Sequence, residues 1–79
     1  MSDISYISNL SDKAILVEIG NFIQQKRIKL NLTQQELAKQ VSISRSTLSL
    51  IERGENIALI NLIKILRILD ALYVLENFK

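Results

Sequence analysis

Apolar residues along the chain fall on helical rather than alternating spacing. After Ser11, the residues Ile15, Leu16, Ile19, Phe22 and Ile23 lie on one stripe of a 3.6-residue period, the pattern of an amphipathic helix. Ser11 supplies the N-cap oxygen and Asp12 suits the positive start, while Lys26, Arg27 and Lys29 suit the negative end. A first helix over 12–29 follows, with Gly20 as its weak point and Asn31 as a left-handed terminator. Residues 1–11 read as a short, irregular amino-terminal arm ahead of it.

The clearest start signal comes next. Thr33 and Glu36 have the T-x-x-E spacing of a capping box, flanked by Leu32 and Leu37 as a hydrophobic staple. A short helix over 34–40, a turn at Val41, Ser42 and Ile43, and a third helix capped by Ser44 and closed before Gly54 make two helices joined by a sharp turn. Ile43 and Leu48 repeat the staple. A fourth helix over 59–69 is apolar on nearly every side, Lys64 and Arg67 excepted, and Asp70 is placed to cap a last stretch, Ala71 to Asn77. The pattern predicts an all-α domain of five helices with residues 12–79 as one unit.

Composition narrows the chemistry. The 79 residues contain no proline, two glycines and neither cysteine nor histidine, so there is no disulfide framework, thiolate site or imidazole base. Eight carboxylates form no recognisable catalytic pair, and no glycine-rich phosphate loop is present. The expectation is therefore no enzyme, no cofactor and no metal. The start Met1, Ser2, Asp3, Ile4 lacks the basic and apolar run of a secretion signal. Lys64, Arg67 and Asp70 interrupt the most apolar window, so no membrane association and a cytoplasmic location are expected, with nucleoid association when bound to DNA.

A net charge of +2 identifies no partner, but its distribution is informative. Residues 1–19 carry Asp3, Asp12 and Glu18 against Lys13, a net of −2. Residues 20–54 carry Lys26, Arg27, Lys29, Lys39, Arg45 and Arg53 against Glu36 and Glu52, a net of +4. Residues 55–79 balance three against three. The middle third, which holds the paired helices, is the electrostatic footprint suited to a polyanion.

Residues 33–54, TQQELAKQVSISRSTLSLIERG, resemble the helix-turn-helix of the Cro/cI-type regulators, the XRE family. Thr33, Gln34, Glu36, Leu37, Ala38, Val41, Ser44, Ile51, Glu52 and Gly54 match in succession, and the resemblance extends over about 19–75. It implies a compact five-helix bundle of the lambda-repressor-like DNA-binding type, with the second helix of the motif in the major groove of double-stranded DNA.

Under that resemblance Arg45, Ser46, Ser49 and Leu50 face base edges, and Arg45 is the residue suited to guanine O6 and N7. Arg27, Thr33, Gln34, Ser44 and Arg53 are candidates for phosphate, Gln34 also buttressing Arg45, and Arg27 and Glu52 align with an interhelical ion pair. Three departures stand out: Leu50 replaces a polar residue, Ser42 sits where relatives often have glycine, and Ile57 replaces a proline common after Gly54.

The surplus of apolar residues at the carboxyl-terminal end points to a homodimer formed through Ile60, Ile63, Leu72, Tyr73, Leu75 and Phe78 on a palindromic site. The expected function is a repressor. The alternative, from the similarity of 59–70 and its short tail to HipB-type proteins, is an antitoxin that autorepresses its operon and holds a toxin partner.

Overall fold

The computed structural model describes residues 7–78. Four α-helices follow one another, α1 (Asp12–Lys29), α2 (Gln34–Val41), α3 (Arg45–Glu52) and α4 (Leu59–Ile68), and a 3-10 helix covers Leu72–Phe78. Among the described residues there is no strand, so the fold is all-α. Residues 7–8 are also helical, and the Leu10 amide donates to the Ile7 carbonyl at 3.1 Å. This part of the expected arm is therefore a helical turn, while residues 1–6 lie outside the described residues.

Side-chain oxygens start three of the helices as their spacing predicts. Ser11 Oγ accepts from the Ala14 amide at 3.1 Å, Thr33 Oγ1 from Glu36 at 3.0 Å and Ser44 Oγ from Thr47 at 3.0 Å. Glu36 Oε1 completes the box by accepting from the Thr33 amide at 2.8 Å. α4 starts from Ala58 with no side-chain cap.

The carboxyl ends share one closure. Asn31 (φ 60°), Ser42 (φ 67°), Gly54 (φ 95°) and Asp70 (φ 56°) are each left-handed. The next residue in each case turns its amide back into the helix: Leu32 to Arg27 at 3.1 Å, Ile43 to Ala38 at 3.0 Å, Glu55 to Leu50 at 3.0 Å and Ala71 to Leu66 at 2.7 Å. These are Schellman closures, which satisfy carbonyls left free at a helix end. Asp70 is thus a terminator of α4 and not the expected cap of the last segment. Aspartate tolerates the left-handed region, and burial of Ala71 fixes the turn there.

Ile23, Leu37, Ala38, Val41, Leu48, Ile51, Ile65, Leu66, Leu69 and Ala71 form the core. α2 packs on α3 and α4, and α1 packs on α3. Gly20, in the middle of α1, marks the closest approach: a Cβ there would lie 2.6 Å from the carbonyl oxygens of both Ile51 and Glu52. A glycine that weakens the helix pattern in sequence is what lets α1 lie against the end of α3. Just beyond, Gly54 leaves no room for a Cβ against Val17, which would be 2.6 Å away.

The 3-10 helix is tied back to α1 by Lys26, whose Nζ lies 5.7 Å from the Phe22 ring centroid and 5.3 Å from that of Tyr73.

Candidate nucleic-acid interface

α2 and α3 are each eight residues, too short to be stable alone, so packing must hold them. Leu48, Ile51 and Glu52 face inward from α3. Arg45, Ser46, Thr47 and Leu50 face outward and Ser49 is half-buried. Positions 45, 46, 49 and 50 thus share a face of α3 away from the core, and the first turn of that helix carries no carboxylate. The helix presents its positive end without a competing negative charge, a suitable arrangement for a polyanion.

Behind this face runs a polar chain. Arg27 Nε donates to Glu52 Oε2 at 2.7 Å and Nη2 to Glu52 Oε1 at 3.2 Å, while Nη1 donates to the Leu32 carbonyl at 2.8 Å. Both charged groups are buried, Arg27 at 9% and Glu52 at 5% exposure. Burial in an uncompensated form would be costly, and the two-point pairing compensates it. Gln34 Nε2 donates to the same Glu52 Oε1 at 3.0 Å, and Gln34 Oε1 accepts from Arg45 Nη1 at 3.1 Å. A buried ion pair joining α1 to α3 is thereby connected, through α2, to an exposed arginine at the tip of α3.

This geometry revises one expectation. Arg27 was a phosphate candidate as well as an ion-pair partner, but its guanidinium is turned inward, with all three nitrogens donating within the protein. Thr33, Ser44 and Arg53 are exposed and Gln34 is half-buried. Ser44 Oγ also lies 3.1 Å from Ser46 Oγ and donates to Thr47 Oγ1 at 2.8 Å, so the hydroxyls at the start of α3 form a local cluster. Thr47 was not singled out in the sequence, although its place in the first turn of α3 was a usable signal.

Lys13 was missed too. Its Nζ donates to the Gly54 carbonyl at 2.6 Å and to Glu55 at 3.3 Å, which joins the start of α1 to the end of α3. No local spacing signals a contact across 41 residues.

Of the apolar residues assigned to a subunit contact, Ile60, Tyr73 and Phe78 are exposed, Phe78 at 84%. Ile63, Leu72 and Leu75 are half-buried. A groove of about 450 Å³ lies between α1, α4 and the 3-10 helix, lined by Ile7, Ile15, Glu18, Ile19, Phe22, Leu62, Leu66, Val74 and Leu75. Among the described residues, no group of three or more His, Cys, Asp or Glu is placed to hold a metal ion, and no helix is long and apolar enough to cross a membrane.

Comparison with known proteins matches this architecture. A family model described as helix-turn-helix matches residues 23–73, from the core residue Ile23 through α2, α3 and α4 to Tyr73. A search of curated proteins gives no match. The matched span exceeds half of the 79 residues and contains the whole α2–turn–α3 unit. The chain belongs to the Cro/cI-type, or XRE, helix-turn-helix family and is a DNA-binding transcription regulator.

Proposed function

We propose that the protein is a cytoplasmic repressor that binds a palindromic operator as a homodimer, with residues 12–79 as one functional unit. α3 lies in the major groove. Arg45 reads guanine, Ser46 and Ser49 make weaker polar contacts, and Leu50, 43% exposed, meets a thymine methyl. Thr33, Gln34, Ser44 and Arg53 hold phosphates on either side.

The observation that carries this reading is Arg45 itself: exposed at the amino end of α3 and held there by Gln34. Selection from a random duplex library is expected to give an inverted repeat with half-sites about one helical turn apart. Arg45→Ala should then lower the ratio of cognate to random binding by about ten- to a hundredfold and leave the salt-dependent random term nearly intact. Equal loss on cognate and random DNA would make Arg45 a phosphate contact and refute the assignment.

The dimer reading is supported by the exposed Ile60, Tyr73 and Phe78 beside half-buried Ile63, Leu72 and Leu75. Sedimentation showing a monomer at micromolar concentration and on its operator would refute it. The same surface also suits the antitoxin alternative, in which it holds a toxin. A neighbouring kinase-like reading frame whose product copurifies with the chain would favour that alternative.

A further inference from the structure

We propose that Glu52, a buried residue that touches no DNA in the reading above, is a positioning residue for base selectivity because it sets which end of the Gln34 amide faces Arg45. The inference rests on the assignment of Arg45 as the base reader and adds a cause for its orientation.

Donor and acceptor polarity fixes the orientation of the amide. A carboxylate only accepts hydrogen bonds and a guanidinium only donates them, whereas an amide has one end of each kind. Glu52 Oε1 therefore admits only the Nε2 end of Gln34, at 3.0 Å, which turns Oε1 outward to where Arg45 Nη1 donates to it at 3.1 Å. With the amide reversed, an NH2 group would face the guanidinium and a carbonyl would face the carboxylate, two repulsive contacts in place of two hydrogen bonds.

Glu52 is itself fixed. Arg27 donates to both of its oxygens at 2.7 and 3.2 Å, and Arg27 is anchored on the Leu32 carbonyl at 2.8 Å. Polarity set in the buried pair thus reaches the exposed tip of α3 through one side chain.

The consequence concerns preorganisation. An arginine has several freely rotating bonds, and ordering it on a base costs conformational entropy. Arg45 spends one donor on Gln34, which restrains the side chain while leaving its other N–H groups for the bidentate contact with guanine. The second N–H of Gln34 Nε2 stays available for phosphate, so one amide links backbone contact, base contact and buried pair.

The test uses Glu52→Gln and Gln34→Met in the full chain, with thermal midpoints measured for both. Glu52→Gln keeps the shape but lets residue 52 donate to Gln34 and reverse its amide. Gln34→Met removes the link and leaves the Arg27–Glu52 pair in place, so it reports even where Glu52→Gln fails to fold. In the DNA-free protein the Arg45 side-chain 15Nε order parameter should be high, and both variants should lower it. On the operator selected by the unaltered protein, each variant should cut the cognate-to-random ratio by about tenfold, within the range of coupling inside one hydrogen-bond network. In an Arg45→Ala background neither should cut it further.

A disordered Arg45 in the unaltered protein would overturn the proposal whatever DNA shows. So would Gln34→Met leaving the ratio unchanged, or Glu52→Gln losing as much again without Arg45, the behaviour of a purely structural residue. A restrained Arg45 in a protein with no sequence preference would instead refute the base-reading assignment, and with it the role in selectivity.

Discussion

Gly20 offers the sharpest test of how α1 meets α3, because two opposing effects of known size act on one methyl group. In an isolated helix, Gly20→Ala would stabilise by about 1 kcal/mol, the difference in helix propensity. Here the new Cβ would lie 2.6 Å from the carbonyl oxygens of Ile51 and Glu52 and 2.9 Å from the Glu52 carbonyl carbon. An ordinary carbon–oxygen contact is about 3.3–3.6 Å, so the two backbones must separate by roughly 0.7 Å.

The obstructing atoms are main chain and cannot rotate away, and α3 cannot shift without disturbing Leu48, Ile51 and the Arg27–Glu52 pair. Overpacking of this kind costs about 1–3 kcal/mol. The net expectation is a destabilisation of up to about 2 kcal/mol, or a fall in Tm of up to about 15 °C for a domain of this size. Scanning calorimetry measures it against Asn21→Ala, an exposed neighbour on the same helix, which should stay within about 0.5 kcal/mol of the parent. If Gly20→Ala raised Tm by the propensity gain, α1 and α3 would not be in the contact described.

Two other substitutions separate local strain from buried charge. Ser42 holds φ 67° and ψ 41° at an exposed turn, so Ser42→Gly should stabilise by about 0.5–1 kcal/mol, read as a raised urea midpoint with an unchanged slope; a lowered midpoint would refute the left-handed turn. Arg27→Met strands Glu52 as a buried unpaired carboxylate and should cost about 3–5 kcal/mol, whereas Arg27→Met with Glu52→Leu should recover most of that stability. The double variant should nonetheless remain poorly selective on DNA, because nothing then anchors Gln34; full recovery of selectivity would show that the pair serves stability alone.

Much of the fold was legible because its signals are local. Ser11, Thr33 with Glu36, and Ser44 each cap a helix through atoms three residues away, so spacing alone carries the information. Asn31 and Gly54 terminate helices by intrinsic backbone preference. Asp70 shows where that reasoning divides: an aspartate both caps helix starts and tolerates the left-handed region, and only the burial of Ala71 beyond it decides between them. Gly20 reads only as a weak point of a helix over 12–29 for a related reason, since what it accommodates is a pair of carbonyls more than thirty residues further along the chain. The Arg27–Glu52 pair and the buttressing of Arg45 by Gln34 were both accessible through family resemblance, but the Gln34–Glu52 bond that joins them, and the inward turn of the Arg27 guanidinium, had to be seen in three dimensions.

The shortness of the recognition helix binds these observations together. Eight residues cannot sustain α3 alone, and its inner face supplies only Leu48, Ile51 and Glu52 to the interior. Its amino end is held by the Ser44 cap, its carboxyl end by the Gly54 closure, and its back by Gly20 and the Arg27–Glu52 pair. Every one of these restraints lies outside the face that carries Arg45, Ser46, Ser49 and Leu50. Substitutions on that face should therefore alter which DNA is bound with little change in stability, while substitutions behind it should loosen α3 and weaken binding through the fold. Glu52 belongs to both groups, as a buried charge that supports α3 and as the acceptor that aims Gln34, so its substitution alone should move stability and selectivity together.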